Sequence, residues 1–361
     1  MSVRPIIAIN YYFTAAELNN RIFAPDNNVG KAVGLKAFRA FMDARGVDVV
    51  TLDMVDFNNP NVKYVLYFEY NWRMLKRDPF FDKIPYQKRA LVLLEPANVN
   101  PSMYYTDFLR KRFPVVFTWD LNLLARNPSY AQINVPVGAE PHAYRLNRFQ
   151  NIAFCNKKLL VAVSANRGGY MPQSIHSYNT RRRAYRFFEK QYSSDFDLFG
   201  LWWDQPRNVF EKLVGSSPFR SWRGAIPGSW DEKVNVIAKY KFALCFENNV
   251  SQPGYISEKI TDCFCARCVP VYYGSKGADS LIPREAWIDL RGFKNFAELG
   301  AYLSGMEEVR YNEYIAAIDR FMQSERLDFF STNHFYGVIA GRLRLSGSVK
   351  HQTCIVSQGA P

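Results

Sequence analysis

The stretch Lys239–Gly274, KYKFALCFENNVSQPGYISEKITDCFCARCVPVYYG, contains a strand, a polar loop, a helix and a second strand in that order. YKFALCF and VPVYYG are the two apolar runs, each of strand length, and the segment after Ser257 has a helical pattern. Serine is a good helix cap, and Glu258 and Lys259 form the first turn. Two apolar strands joined by a helix are typical of a parallel, buried sheet. This stretch therefore predicts an α/β fold.

The same alternation of strands and helices runs through the chain in two series. The strand candidates are RPIIAIN, VDVVTL, KYVLYFE, RALVLLE and PVVFTW in the first series, and KLLVAVS, DFDLFG, YKFALCFE and VPVYYG in the second. A chain of 361 residues exceeds what one core usually holds. We therefore predict two Rossmann-like domains facing across a cleft, at residues 1–150 and 151–345, followed by a tail at 346–361.

Two local patterns predict helix ends. The segment KAVGLKAFRAFMDARG has an apolar stripe at helical spacing and ends at Gly46, a residue type that often closes helices. Near the end of the chain, the spacing of Asn295 and Glu298 suits a capping box at the start of FAELGAYL. The two late helices, FAELGAYL and YNEYIAAIDRFM, are expected to be structural.

The composition indicates a globular protein that attracts anions. Apolar residues make up 48% of the chain and its formal net charge is +13, so nucleotides, acidic glycans, anionic lipids or nucleic acid are the expected partners. No apolar run approaches the roughly 18 residues of a membrane span. The start, MSVRPIIAINYY, has no signal-peptide layout. We expect a cytoplasmic protein with at most peripheral contact to the inner membrane.

The loop after YKFALCF is the first place to look for chemistry, because ligands in α/β folds bind beyond the carboxyl ends of strands. The helix start near Ser257 offers free N–H groups and a positive dipole end, which suit a pyrophosphate. Lys259 adds a full positive charge in the first turn, where a lysine disfavours the helix and thus invites a functional explanation.

The pattern of aromatic-Lys-Phe, FEN, Tyr-x-x-Glu-Lys, Val-Pro-Val and Gly resembles the donor-binding motif of the alpha-1,3/4-fucosyltransferases. The likeness continues through PREAWIDLRGFKNFAELGAYL. It implies the GT-B architecture and a GDP-fucose donor. It assigns Asn248, Tyr255, Glu258 and Lys259 to the nucleotide and the fucosyl hydroxyls. The loop between Asn248 and Tyr255 is longer here than in some bacterial members.

Two further stretches extend the resemblance. NTRRRAYRFFEK lies where the family supplies an arginine to the donor phosphates, and alignment favours Arg182, with Arg181 and Arg183 as alternatives. RALVLLE ends at Glu95, which matches the glutamate proposed as the family's catalytic base, although the following PANVNP differs in detail. Glu95 is therefore expected to accept the proton of an acceptor hydroxyl.

Other motifs are expected to be structural. The DFD sequence at Asp195 and Asp197 mimics a metal motif, but its context predicts a strand start with solvated carboxylates. Trp119 is expected in the core, although Trp119 and Asp120 are also candidates for contact with donor or acceptor. The cysteines of DCFCARC are expected to be buried free thiols, since their spacing does not suit a zinc site.

The resemblance therefore implies an inverting glycosyltransferase that moves fucose from GDP-fucose to a glycan or glycolipid hydroxyl in surface polysaccharide or lipopolysaccharide synthesis. It implies no catalytic metal and no cofactor beyond the donor, and no stable nucleic-acid partner is expected. Alternatives are another GDP-sugar donor, a nucleic-acid acceptor, an inactive sugar-binding relative and a basic nucleic-acid-binding protein, for which the separated clusters of basic residues give little support.

Overall fold

The structure is a computed structural model. It describes residues 4–11, 14–27, 30–104, 106–136, 152–168, 177–206, 212–213, 218–226 and 229–345. The predicted boundary at residues 150–151 and the predicted tail at 346–361 lie outside this part of the chain.

The first sheet contains all five strands predicted in the first half and one short strand more. Its strands are β1 (Ile6–Asn10), β2 (Asp48–Thr51), β3 (Val62–Phe68), β4 (Arg89–Leu93), β5 (Val115–Thr118) and β6 (Ala131–Gln132). They lie in the order β2-β1-β3-β4-β5-β6, and every pair is parallel. Buried apolar side chains cover both faces, as a parallel sheet requires.

The second sheet is also parallel throughout. Its strands are β7 (Lys158–Val163), β8 (Phe196–Phe199), β9 (Tyr240–Phe246), β10 (Val269–Tyr273) and β11 (Ile288–Asp289). Their order is β11-β10-β9-β7-β8. β9 and β10 are the two strands of the stretch Lys239–Gly274, and they are neighbours as predicted. Two parallel sheets in sequence confirm the predicted α/β fold with two Rossmann-like domains.

The helices pack against the faces of these sheets. They are α1 (Gly30–Asp43), α2 (Trp72–Arg77), α3 (Thr106–Arg112), α4 (Leu121–Arg126), α5 (Tyr178–Gln191), α6 (Trp230–Ile237), α7 (Glu258–Cys265), α8 (Phe296–Ser304), α9 (Glu308–Gln323) and α10 (Thr332–Arg342). Gly46, in the turn after α1, has the predicted left-handed conformation, with φ of 74°.

The capping box at α8 is formed only in part. The Asn295 side chain accepts a hydrogen bond from the Glu298 N–H at 2.9 Å, as predicted. The Glu298 carboxylate, however, accepts from the N–H of Lys294 at 2.9 Å, one residue before the cap. The reciprocal bond is therefore displaced by one residue and still satisfies a free N–H group at the helix start.

The last helix, α10, returns to the first domain. Its side chains Phe335, Tyr336 and Ile339 are part of the core of the first sheet, and the Tyr336 hydroxyl donates to the Gly34 carbonyl of α1 at 2.8 Å. The prediction that residues 151–345 form the second domain is therefore wrong for α10. The apolar face of α1 offers this helix a place to bury its own apolar side chains.

The loop between β9 and α7 joins the two domains. The Gln252 amide donates to Asp120 Oδ2 at 2.6 Å and accepts from the Ala97 N–H at 2.8 Å. Asn249 donates to the Asn98 side chain at 2.9 Å. Ala97, Asn98 and Asp120 all follow strands of the first sheet, so the loop lies on the carboxyl ends of those strands.

Replacing Gly254 with alanine should destabilise this contact between the domains. Gly254 has φ of 94°, and an added Cβ would overlap the Trp119 carbonyl oxygen of the first domain. Gly277 is the matched control, since it has φ of 87° but nothing within 4 Å of an added Cβ. Urea unfolding should show a loss of about 1 kcal/mol for Gly277→Ala and about 3 kcal/mol for Gly254→Ala. Equal losses would mean that the close approach to Trp119 is easily relieved.

Candidate active site

The predicted base, Glu95, lies within electrostatic range of the predicted donor residues Glu258 and Lys259. Glu95 follows β4, and Glu258 and Lys259 begin α7, which follows β9. Burial raises the pKa of Glu95, while the charges of Arg167 and Lys259 lower it and that of Glu258 raises it again. Groups that shift one another's pKa in this way lie close together. The structure thus brings Glu95, Glu258 and Lys259 to one site.

A buried carboxylate, Glu247, organises the start of α7. Its side chain is completely buried and accepts hydrogen bonds from the Ser257 N–H at 2.8 Å and the Ser257 hydroxyl at 2.6 Å. Ser257 occupies the N-cap position, but its hydroxyl does not make the predicted capping bond to the helix. The hydroxyl donates to the Glu247 carboxylate instead. Glu247 closes β9 in the sequence, and its position at a strand end is the signal that could have identified it.

Lys259 is held in its charged form. Its ammonium lies 3.3 Å from Glu247 Oε2 and donates to the Ser257 hydroxyl at 2.8 Å. Although burial favours the neutral amine, the carboxylates of Glu247 and Glu258 keep the pKa of Lys259 well above its ordinary value. Lys259 in turn lowers the pKa of Glu258, against the effect of burial. Both side chains are therefore ionised at neutral pH, the state in which they can bind phosphates and hydroxyls.

The three consecutive arginines of α5 have different surroundings. Arg181 is buried and donates to the Ala165 carbonyl at 2.9 Å, and Arg183 is exposed. Arg182 is half-buried. It donates a hydrogen bond at 2.7 Å to Oδ1 of Asn166, which lies in the loop after β7. Arg182 thus lies at the carboxyl ends of the second sheet, and its phosphate contact stays a prediction.

Arg167, in the same loop, is a candidate that the sequence analysis missed. It is exposed, and its charge lowers the pKa of both Glu95 and Tyr178. Its position directly after the strand KLLVAVS was the available signal. An exposed guanidinium at this place is suited to an anionic ligand.

Asn248 and Tyr255 stand at the two ends of the interdomain loop. The Asn248 carbonyl accepts a hydrogen bond from the Asn98 side chain at 3.3 Å. The Tyr255 ring is buried and packs against Trp119, with 4.7 Å between ring centroids. Trp119 is fully buried, as predicted, and donates to the Leu94 carbonyl at 2.6 Å. Tyr255 therefore forms part of the wall between the domains.

Asp197 is not solvated, contrary to the prediction. It is buried in β8 and accepts hydrogen bonds from Lys158 at 2.8 Å, Arg223 at 2.6 Å and the Tyr240 hydroxyl at 2.7 Å. Against the effect of burial, these bonds hold the pKa of Asp197 below its ordinary value. Two cations and a hydroxyl thus donate hydrogen bonds to the Asp197 carboxylate. Asp195, in contrast, is exposed. Asp197 therefore has a structural role.

The cysteines of DCFCARC are buried free thiols, as predicted. Burial raises the pKa of the Cys265 thiol, and it raises the pKa of the Cys268 thiol to about 12. Both thiols therefore stay protonated at neutral pH. Within the described part of the chain, no three His, Cys, Asp or Glu side chains are grouped closely enough to hold a metal ion. Over the same residues, no helix is both long enough and apolar enough to span a membrane.

A cavity of about 380 Å³ opens beside Glu95 on the side of the first domain. Its lining combines carboxyl, amide, hydroxyl and ammonium groups with one apolar side chain: Tyr11, Lys31, Glu69, Asn71, Glu95, Val99 and Asn100. Glu69 is a second carboxyl that the sequence analysis missed, since no pattern distinguished it from an ordinary strand end. A cavity rich in hydrogen-bonding groups suits a hydroxylated ligand.

Part of the candidate site lies in a segment that matches the model of a known protein family. Residues 213–334 match the model described as glycosyltransferase family 10 (fucosyltransferase) C-term. The match covers about a third of the chain, so this segment resembles the C-terminal domain of that family. It contains Asn248, Tyr255, Glu258 and Lys259, whereas Glu95 and Arg182 lie before it.

Curated relatives match this chain only over short stretches. Alpha-(1,3)-fucosyltransferase FucT of Helicobacter pylori is 31% identical over 96 residues, which are 27% of this chain and 19% of FucT. Alpha-(1,3)-fucosyltransferase 7 of Homo sapiens is 37% identical over 90 residues, which are 24% of this chain and 26% of that protein. The chain thus spans about a fifth to a quarter of the length of these relatives.

Solved structures share the fold over nearly the whole chain. An alpha1,3-fucosyltransferase with GDP-fucose has a TM-score of 0.51 at 14% identity, covering 98% of this chain and 94% of its own. The DNA modifying enzyme beta-glucosyltransferase of phage T4 has a TM-score of 0.54 at 13% identity, covering 94% of this chain and all of its own. At these identities the likeness concerns the fold alone, and it confirms the GT-B arrangement.

Glu247 and Lys259 should be energetically coupled. Glu247→Gln should lower the free energy of unfolding by about 3 kcal/mol, because it leaves the buried Lys259 ammonium beside a neutral amide. Lys259→Met should have a similar cost, since it leaves the carboxylate uncompensated. The double variant removes both charges and should be more stable than the sum of the single losses predicts. Urea unfolding of all four proteins measures the coupling, and additive losses would show that the ion pair is unimportant.

Proposed function

We propose that this protein transfers fucose from GDP-fucose to a hydroxyl group of a glycan acceptor. The observation that carries the proposal is that Glu95 interacts electrostatically with Tyr255, Glu258 and Lys259, which lie in the segment matched by the family 10 model. The donor then lies on the second domain and the acceptor in the cavity of the first. The reacting atoms meet between them.

The proposed reaction is a single displacement with inversion at the anomeric carbon. Glu95 accepts the proton of the acceptor hydroxyl, whose oxygen forms the new bond as the bond from the anomeric carbon to the phosphate oxygen breaks. The sugar carries oxocarbenium character in the transition state. Burial raises the pKa of Glu95, and a base works best when its pKa lies nearer the working pH. The electron pair of the broken bond leaves with GDP.

The leaving group needs positive charge, since negative charge collects on the pyrophosphate as the bond breaks. Lys259 supplies one charge, and Arg182 and the start of α7 are the predicted further contacts. Arg167 adds a guanidinium near Glu95. We propose that these groups take the place of a catalytic metal ion.

The wider setting follows the same proposal. The acceptor is an oligosaccharide or glycolipid, and the role is in surface polysaccharide or lipopolysaccharide synthesis in the cytoplasm, with at most peripheral contact to the inner membrane. The alternatives are another GDP-sugar as the donor, or a nucleic acid as the acceptor, which the net charge of +13 allows. The carboxylate of Glu95 in the acceptor cavity favours an uncharged sugar over a phosphodiester.

Calorimetric titration with GDP-fucose and GDP-mannose, with and without EDTA, tests the donor. We expect GDP-fucose to bind more tightly, EDTA to have no effect, and Lys259→Ala to weaken binding about tenfold because one charge-assisted contact is lost. Lys294→Ala, at an exposed lysine of the same domain, is the matched control and should bind normally. No binding of either nucleotide sugar by the unmodified protein would refute the proposal.

Glu95→Gln tests the base. The amide cannot accept the proton, so GDP release from GDP-fucose should slow by about 100-fold or more. The affinity for GDP-fucose should stay unchanged, because Glu95 belongs to the first domain. Glu307→Gln, at an exposed glutamate, serves as control. A normal rate in Glu95→Gln would assign the base to another residue.

A further inference from the structure

Glu69 has an unusual backbone conformation at the end of β3. Its φ is 53°, in the left-handed region that residues other than glycine rarely adopt. β3 and β4 are neighbours in the sheet, so Glu69 lies beside the strand end that carries Glu95. This conformation costs about 1 kcal/mol relative to an ordinary strand residue. A glycine here would avoid the cost, and the side chain of Glu69 is therefore expected to have a use.

The two carboxyl oxygens of Glu69 have different surroundings. Oε1 accepts hydrogen bonds from the backbone N–H groups of Leu94 and Glu95, the latter at 2.7 Å. Oε2 is buried and has no hydrogen-bond partner among the described residues. The residue is only 2% exposed, yet it lines the cavity beside Glu95. One oxygen thus fixes the backbone of the base, and the other is left for a ligand.

The charges around Glu69 favour its neutral form. Burial raises the pKa of Glu69 to about 8; the Leu94 and Glu95 N–H groups oppose this rise, and the Glu95 carboxylate adds to it. The charge of Glu69 raises the pKa of the Tyr11 and Tyr104 phenols, and the Tyr104 hydroxyl donates to the Glu95 carbonyl at 2.7 Å. A hydrogen bond from the Asn100 amide lowers the pKa of Glu69, and the Lys31 ammonium in the cavity wall is paired with Glu17 at 2.7 Å.

Since Oε1 already accepts two N–H groups, the proton resides on Oε2. Glu69 is then a hydroxyl donor in the lining of the cavity at neutral pH. A carboxylic acid kept neutral by an apolar or acidic environment can serve as a hydrogen-bond donor to a ligand oxygen.

We propose that Glu69 is an acceptor-binding residue, which donates a hydrogen bond from Oε2 to an oxygen of the acceptor sugar while Oε1 positions the backbone of Glu95. The inference rests on the proposed function. The acceptor it selects is an uncharged sugar that presents a hydrogen-bond-accepting oxygen next to the reacting hydroxyl. No proton leaves Glu69 during the reaction.

Glu69→Gln and Glu69→Ala separate this role from a structural one. The assay is GDP release from GDP-fucose, with water alone as acceptor and again with lactose added. Glutamine keeps an oxygen for the two N–H groups and offers an N–H donor to the cavity, so its rate at pH 7 should stay close to that of the unmodified protein. Alanine loses both contacts and should slow GDP release about tenfold or more. Thermal melting confirms that each variant is folded.

The pH profile gives the sharper test. Below its pKa of about 8 Glu69 is protonated and donates, and above it the donor is lost and a second negative charge appears beside Glu95. The rate of the unmodified protein should therefore fall as the pH rises through about 8, whereas Glu69→Gln should show no such fall. A Gln variant as slow as the Ala variant, or one that keeps the alkaline fall, would overturn the inference.

Calorimetry distinguishes this failure from failure of the proposed function. Both Glu69 variants should bind GDP-fucose as the unmodified protein does, because the donor lies on the other domain. If the unmodified protein binds no GDP-fucose, the proposed function fails and the inference falls with it. Normal donor binding together with an unaltered rate in Glu69→Ala would overturn the role of Glu69 alone.

Discussion

The buried carboxylate of Glu247 is the constraint on which the rest of the site depends. A charge without exposure to water costs several kcal/mol unless cations and hydrogen-bond donors surround it. The Ser257 N–H, the Ser257 hydroxyl and the Lys259 ammonium supply them. All three groups belong to the start of α7. A shift of this helix would leave the buried Glu247 carboxylate without its hydrogen-bond donors and its cation. The position of Lys259 follows from the end of β9.

The interdomain loop carries this constraint to the first domain. It leaves Glu247 and returns at Ser257, and in between Gln252 is hydrogen-bonded to Asp120 and Ala97. Both ends of the loop are thus fixed in the second domain, and its middle is fixed in the first. The distance between Glu95 on one domain and Lys259 on the other is therefore set by one segment of about ten residues, which is too short to act as a free hinge.

Local sequence patterns were sufficient for the longer strands and for the helices α1, α7 and α8, because apolar runs and helical spacing report on burial within each element. They failed where a distant partner decides the outcome. Ser257 was expected to cap a helix, but a carboxylate ten residues earlier binds its hydroxyl. The partner of α10 is Gly34, some three hundred residues away. The donor residues emerged from a motif, whereas Glu69 has none and is recognised only by its cavity and its backbone conformation.

Glu69 and Glu95 line the same cavity, but different charges act on them. Arg167 and Lys259 act on Glu95 and favour its anion, the form that accepts a proton. The hydrogen bonds that lower the pKa of Glu69 do not outweigh its burial, and the neighbouring anion of Glu95 disfavours a second charge. Like charges at one site ionise in sequence. The positive charges of the second domain thus favour Glu95 as the proposed base and leave Glu69 as the proposed neutral donor.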